Sequence, residues 1–311
     1  MRFGVQLYPW ARWPSLESIG EVVQAAEGLG FDSVVLSEHF VTPLSDDTAP
    51  IGRTWPELYV LAAYLAGITQ TIRFIFYATV VPYRHPIHQA SEIATLDQLS
   101  RGRLTIVAGV GWLREEFEAL GIPFEHRGAR TDEYIRAMRL LWTEDEPEFD
   151  GQYVSFKKVA LEPKCYQRPH IPVWIGGAGA HVQRRIAEFG DGWGAPIPWP
   201  IDKLARQVER TKAAVAAVGR DPAALGFSAG LSFGSPDGTA LDAFSHVGSK
   251  ATPEWISRTA PEAVSLVERY RAAGFTDLVV STEWRTPEDY LEKLGWFAHN
   301  VIEKVRPAQT K

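Results

Sequence analysis

Short apolar runs alternate along this chain with longer stretches in which apolar residues recur every three or four positions. Residues 72–112 show the alternation most clearly: a run rich in β-branched and aromatic residues covers 72–81, helical spacing follows from Pro86 to Gly102, and a second apolar run covers 104–108. Such uninterrupted runs are typical of strands buried on both faces. The succession therefore predicts a strand, a helix and a second strand parallel to the first.

The same alternation extends over the whole sequence. Apolar runs predict strands at 3–7, 33–36, 72–81, 104–108, 172–175, 193–195, 226–233 and 277–281. Helical spacing and start signals predict helices between them at about 16–28, 55–68, 86–101, 131–142, 180–189, 201–218, 261–273 and 287–301, with a further helix near Leu113. Eight alternating strand–helix units predict a (β/α)8 TIM barrel, formed as a single domain by residues 1–311.

A barrel of this kind needs about 250 residues, which leaves roughly sixty for insertions. Asp150-Gly151 between short β-type runs predicts a hairpin in an insertion at 146–170, after strand four. The segment 234–258, after strand seven, is rich in Gly, Ser, Pro and Asp. It is interpreted either as a mobile lid over the barrel mouth or as a solvated loop.

Composition narrows the functional classes. A formal charge of −6 without a basic block argues against nucleic-acid binding and against binding to anionic membranes. No signal peptide or long apolar span is recognisable, so no membrane partner is expected. Because Cys165 is the only cysteine, no internal disulfide can form, and we expect a cytoplasmic protein.

Two short motifs at predicted strand ends could carry chemistry. Gly176-Gly177-Ala178-Gly179 joins strand five to a helix, where free backbone N–H groups could bind a phosphate; a tight turn is the alternative. Glu38-His39 follows strand two, and an imidazole held at a strand end is a candidate acid or base. His39 and Glu38 are therefore the predicted catalytic residues, with a structural role for the pair as the alternative.

Other polar pairs are interpreted as structural. His85 and His88 are three residues apart at a helix start, but no third ligand at metal-site spacing accompanies them, so no metal is predicted. Asp97 and Arg101 have the spacing of an ion pair within one helix. Five tryptophans follow predicted strands and could either line a pocket or fill the core: Trp10, Trp55, Trp112, Trp199 and Trp284.

Together these residues resemble a known family. The blocks at 84–112 and 172–194, which include RHPIHQASEIATLDQLSRGRLTIVAGVGW and PVWIGGAGAHVQRRIAEFGDGW, are similar to the luciferase-like superfamily and most similar to its oxidoreductases that use the deazaflavin coenzyme F420. The match covers residues 1 to about 220 well. The resemblance implies a (β/α)8 barrel, usually a homodimer, that binds a flavin or deazaflavin at the carboxyl ends of its strands.

The resemblance also implies residue roles. The residues after strand five would surround the cofactor phosphate, those after strand four would lie beside the tricyclic ring, and the 77–78 peptide would back the ring at a bulge that is often cis. The expected cofactor-binding residues are Tyr77, Ala78, Gly109, Val110, Gly111, Trp112, Glu115, Gly176, Gly177, Gly179 and Ala180. His39 matches the acid or base of several members. Trp112 replaces the catalytic Glu of the family's sugar-phosphate dehydrogenases, which excludes that activity.

The sequence thus predicts an enzyme that transfers hydride between reduced F420 and a small hydrophobic organic substrate. Glu38-His39 is similar to the Glu-His pair of the flavin-using luciferase branch, so an FMN-dependent monooxygenase is the enzymatic alternative. Two other classes stay open: a flavin- or deazaflavin-binding barrel without turnover, and a metal-dependent hydrolase that uses His39.

Overall fold

The computed structural model describes residues 1–44, 51–196, 199–234, 256–257 and 259–306. In this part of the chain, eight parallel strands form a closed barrel. The barrel strands are β1 (Arg2–Gln6), β2 (Ser33–Leu36), β3 (Arg73–Val80), β4 (Leu104–Gly109), β5 (Val173–Gly176), β6 (Gly192–Gly194), β7 (Gly226–Phe233) and β8 (Asp277–Ser281). Each strand pairs with the next strand along the chain, and β8 also pairs with β1, which closes the ring. The predicted fold class is confirmed.

Helices cover the outside of the barrel. They are α1 (Leu16–Gly28), α2 (Leu58–Ile68), α3 (Pro86–Ser100), α4 (Arg114–Ala119), α5 (Arg127–Thr143), α6 (Ala180–Glu188), α7 (Ile201–Ala217), α8 (Ala260–Ala272), α9 (Pro287–Phe297) and α10 (Glu303–Val305), with a π-helical turn at Ala298–Ile302 between the last two. None of these helices is long and apolar enough to cross a bilayer.

The bounds of the elements follow local capping chemistry. β7 and β8 begin and end where the sequence predicts. Helix α2 begins three residues later than expected, because the Glu57 side chain caps it by accepting a hydrogen bond from Val60 N at 2.7 Å. His85 caps α3, with Nδ1 accepting from Ile87 N at 3.3 Å, which confirms the interpretation of this histidine as part of a helix start.

The amino-terminal half of the barrel interior is filled by large side chains. Val35, Ile75, Val107, Trp174 and Val279 form a buried cluster inside the ring. Trp174 leaves no room for a side chain at Gly192 of the paired strand β6 or at Gly226 of β7, since an added Cβ atom would lie 2.6 Å or 2.1 Å from its indole. Nearer the carboxyl ends, the inward positions paired in register include Gly176 and Gly194. Val107 fills the space in front of both glycines, since an added Cβ atom would lie 3.2 Å (Gly176) or 2.5 Å (Gly194) from its Cγ1 atom.

The insertion before β5 contains the predicted hairpin. Two short antiparallel strands, Phe149–Asp150 and Ser155–Phe156, pair across its turn. Glu133 of α5 fixes them to the barrel by accepting hydrogen bonds from Tyr153 N at 2.6 Å and Val154 N at 2.7 Å. The hairpin is thus part of the same folded unit as the barrel.

The expected ion pair between Asp97 and Arg101 is wrong. The Asp97 carboxylate accepts hydrogen bonds from Gln167 N and Gln167 Nε2, both at 2.9 Å, and so anchors the end of the insertion. Arg101 has left the helical conformation, with a φ of 54°, and its side chain is exposed. The i,i+4 spacing fails here because the helix ends at Ser100.

The second predicted insertion, 234–258, lies almost entirely outside the described residues. Of it, Ile256–Ser257 forms a short strand that pairs in parallel with the end of β7.

The packing of Trp174 yields a stability prediction. Gly226→Ala should lower the free energy of unfolding by about 1–3 kcal/mol, because the added methyl group overlaps the Trp174 ring inside the barrel. Gly295→Ala is the matched control: no atom lies within 4 Å of its Cβ position, and alanine in α9 should raise stability by about 0.5–1 kcal/mol. Urea unfolding checks both variants, and equal stabilities would contradict the packing of Trp174 against Gly226.

Candidate active site

His39 lies beyond the carboxyl end of β2, at the mouth of the barrel. Its Nδ1 atom is 2.6 Å from Glu116 Oε2, and its side chain is 10% exposed. Nε2 has no hydrogen-bond partner in the described part of the chain. The imidazole is therefore held on one side and keeps its second nitrogen for a ligand.

Glu116 is a site residue that the sequence analysis missed. Its side chain is fully buried, and besides His39 it accepts hydrogen bonds from Tyr83 Oη at 2.7 Å and from Phe40 N at 2.6 Å. Burial alone would raise the pKa of Glu116, but these hydrogen bonds and the nearby His39 outweigh it, so that this pKa lies below its ordinary value. Glu116 is consequently an ionised carboxylate in the interior.

The position of Glu116 depends on how α4 packs over β3 and β4. Phe117 is fully buried in a small cluster with Val80 and Tyr83. Gly111 has a φ of 77°, and a Cβ atom there would lie 2.6 Å from the Phe117 ring. Gly111 thus lets the chain turn tightly from β4 into α4, and the packed Phe117 directs its neighbour Glu116 toward His39.

A sequence signal for Glu116 did exist. On a helix, position 116 lies on the same face as the apolar residues Leu113 and Leu120, so a carboxylate there is a buried charge that needs partners. The neighbouring Glu115, which was expected to bind the cofactor, has an exposed side chain on α4.

Glu38 faces away from the His39 ring. Its side chain is buried and accepts hydrogen bonds from Val80 N at 2.7 Å and Arg84 Nη1 at 2.5 Å. Burial raises the pKa of this carboxyl, and the Arg84 guanidinium opposes that effect. The two residues of the Glu38-His39 motif therefore join different networks: Glu38 ties β2 to the end of β3, and His39 contacts Glu116.

Aromatic rings surround His39. The Trp55 ring is 4.6 Å from the imidazole and the Trp112 ring is 6.0 Å away, both edge to face, and Tyr8 stacks on Trp55 at 5.5 Å. Trp112 is 59% exposed. Of the five tryptophans singled out in the sequence, these two line the mouth, whereas Trp10 and Trp284 are buried in the core.

The expected bulge in β3 is present. The register of β3 against β4 shifts between Tyr77 and Thr79, and the Tyr77–Ala78 peptide is cis. The Tyr77 hydroxyl donates to Ala195 O. Gly109 lies next to the bulge, because a Cβ atom there would be 3.1 Å from Ala78 Cβ. Bulge and strand end together form one wall of the mouth.

The turn between β5 and α6 is open to solvent. Gly177 and Gly179 have φ values of 97° and 96°, and a Cβ atom at Gly179 would meet no atom within 4 Å. Gly177 N donates to Gly194 O at 3.3 Å, so the amides available to an anion are those that follow it, up to the first turn of α6 at Ala180. This turn has the backbone conformation and the free donors that a phosphate needs.

No group of three His, Cys, Asp or Glu side chains that could hold a metal occurs within the described ranges. The hydrolase alternative therefore has no ligand set around His39 in this part of the chain.

Comparison with known proteins assigns the family. The model of the family described as luciferase-like monooxygenase matches residues 1–247. An uncharacterised protein of Mycobacterium tuberculosis is 35% identical over 209 residues, which cover 63% of this chain and 73% of the relative. The FMNH2-dependent dimethylsulfone monooxygenase of Pseudomonas putida is 28% identical over 240 residues, which cover 76% of this chain and 64% of that enzyme.

Solved structures share the fold. The monooxygenase RslO1 from Streptomyces bottropensis has a TM-score of 0.83 at 23% identity, covering 98% of this chain and 100% of that chain. An F420-dependent secondary alcohol dehydrogenase in complex with an F420–acetone adduct has a TM-score of 0.78 at 19% identity, covering 98% of this chain and 99% of that chain. With the family model matching most of its length, the chain belongs to the luciferase-like monooxygenase family.

Proposed function

We propose that the protein is a coenzyme F420-dependent oxidoreductase that transfers hydride between the reduced deazaflavin and a hydrophobic organic substrate. The observation that carries this proposal is the presence, at one end of the barrel, of an ionisable His39 among aromatic rings and an open glycine turn at β5–α6. The resemblance of residues 84–112 and 172–194 to the deazaflavin branch supports this cofactor.

The residues present fit such a cofactor. The amides of Ala178, Gly179 and Ala180 would bind its phosphate, since a Cβ atom at Gly177 would contact only Val182 at 3.7 Å and at Gly179 nothing. The β3 bulge at Tyr77–Ala78 and the end of β4 would lie against the tricyclic ring. When bound, the deazaflavin supplies a hydride carrier that the protein itself lacks.

The protein's own contribution is binding, orientation and proton transfer. The aromatic wall of Tyr8, Trp55 and Trp112 would hold an apolar substrate and exclude water from it. His39 would then give a proton to the substrate, or take one from it, as hydride moves. In this proposal Glu38 supports the strand ends rather than touching the substrate, because its carboxylate contacts Val80 and Arg84.

An FMN-dependent monooxygenase is the second candidate. It is favoured by the Glu38-His39 pair and by the similarity to an FMNH2-dependent monooxygenase of Pseudomonas putida. The β5–α6 turn would bind the phosphate of either cofactor, so the two candidate functions differ in which tricyclic ring the protein binds.

We also propose that the protein is a homodimer, as is usual in the family. The outer face of α2 carries Val60 and Tyr64, which are 70% and 41% exposed. A second copy would cover this apolar surface.

The cofactor assignment predicts that the cofactor-free protein binds F420 more tightly than FMN. Fluorescence titration of one preparation with the two cofactors side by side measures the two dissociation constants. Tight binding of FMN with no binding of F420 would overturn the assignment and support the monooxygenase. Tight binding of either cofactor without turnover of any reductant or substrate would support a binding protein without catalysis.

The proposed role of His39 predicts that His39→Gln lowers turnover by about a hundred- to ten-thousandfold, the usual contribution of a general acid or base, and leaves cofactor affinity within a few-fold. His299→Gln is the matched control, because His299 also contacts a glutamate, Glu303, at 3.2 Å but is 73% exposed and outside the mouth. Stopped-flow oxidation or reduction of the bound cofactor measures both variants across pH. Equal rates for parent and His39→Gln at every pH would remove His39 from the reaction.

A further inference from the structure

The Glu116 carboxylate has four hydrogen-bond partners on two sides. Oε1 accepts from Phe40 N at 2.6 Å and Val41 N at 3.3 Å, and Oε2 lies 2.7 Å from the Tyr83 hydroxyl and 2.6 Å from His39 Nδ1. An ionised carboxylate is only an acceptor, so each partner must donate. The hydrogen on the imidazole therefore sits on Nδ1.

This contact determines which nitrogen of His39 can exchange a proton. With Nδ1–H committed to Glu116, the neutral ring has its lone pair on Nε2, and the protonated ring carries its removable proton there. Glu116 itself has no exposed surface, so it cannot reach a substrate and acts only through the imidazole.

We propose that Glu116 is the positioning residue of this site: it fixes His39 as the Nδ1–H tautomer and makes Nε2 the atom that transfers the proton. The catalytic part of this proposal rests on the proposed oxidoreductase function. With a carbonyl substrate, the bound deazaflavin would supply the hydride that bonds to the carbon. The carbonyl oxygen would take the Nε2 proton of His39, and the neutral Nδ1–H ring would remain against Glu116. In the reverse direction Nε2 would accept the hydroxyl proton of an alcohol whose hydride the oxidised cofactor would take.

The substitution Glu116→Gln isolates this role. The backbone amides of Phe40 and Val41 hold the oxygen of the new amide where Oε1 lay, so its NH2 group takes the place of Oε2 beside His39. An NH2 group donates, so Nδ1 must become an acceptor and the ring hydrogen must move to Nε2. Glu118→Gln is the matched control, since Glu118 is exposed on the same helix α4.

The first measurement uses the cofactor-free protein. Nitrogen-15 spectra of histidine-labelled protein, at a pH where the ring is neutral and with His39 assigned through His39→Gln, report the tautomer. We expect Nδ1–H in the parent and in Glu118→Gln, and Nε2–H in Glu116→Gln. An Nε2–H ring in the parent, or the same tautomer in parent and Glu116→Gln, would overturn the proposal. The parent spectrum decides it even if the variant fails to fold.

The second measurement tests whether Glu116 acts through His39. Glu116→Gln should lower turnover about a hundredfold or more, as expected for a histidine held in the wrong tautomer, while F420 affinity stays within a few-fold and Glu118→Gln stays within about twofold. In the His39→Gln background, Glu116→Gln should lower turnover by less than about a further threefold. If the turnover losses of Glu116→Gln and His39→Gln instead multiply in the double variant, Glu116 has a merely structural role.

The two measurements also separate this proposal from the proposed function. If no F420-dependent turnover exists but the tautomer changes as expected, the positioning role stands and the reaction assignment fails. If turnover exists and the tautomer does not respond, the reaction assignment stands and the positioning role fails.

Discussion

Closure of a parallel sheet is the constraint on which the rest of this structure depends. Because β8 pairs with both β7 and β1, all eight carboxyl ends meet in one ring, and residues far apart in the chain come together there. His39 and Glu116 are 77 positions apart, yet their side chains touch. Trp174 packs with Val35, Ile75, Val107 and Val279 in the barrel interior, behind the end that carries the ionisable groups.

The mouth uses two buried glutamates in different ways. Glu38 is paired with Arg84, and its contact with Val80 N joins β2 to the end of β3. Among the described residues Glu116 has no arginine partner; it accepts hydrogen bonds from neutral donors and contacts an imidazole that can change its charge. A carboxylate balanced by a fixed cation stabilises a wall, whereas one balanced by a histidine can respond to the protonation of that histidine. This difference is why we propose the acid–base role for His39, with Glu116 as the residue that positions it.

Apolar periodicity predicted the strands and most helices, because burial on both faces of a parallel sheet leaves a clear signal in the sequence. It located Glu38-His39 and the 176–179 turn at strand ends for the same reason. It missed the contact of Glu116 with His39, since α4 is a single short helix and a shift of one residue, from Glu115 to Glu116, turns the side chain by about 100°. Which of the two glutamates faces His39 is determined by the tertiary packing of Phe117 against Gly111. The sequence pattern also missed the contact between Asp97 and Gln167, because it joins segments that are distant in the chain.

The central claim is that the cofactor binds at the carboxyl end of the barrel with its phosphate on the β5–α6 turn. Calorimetric titration of F420 into Gly177→Val tests it most directly, with Gly219→Val as control, because Gly219 also has a positive φ of 79° and open surroundings but follows α7 at the opposite end of the barrel. The two variants carry similar backbone strain. Gly177→Val alone should bind F420 at least tenfold more weakly, a loss of about 1.4 kcal/mol of binding free energy. Equal affinities in two folded variants would contradict it.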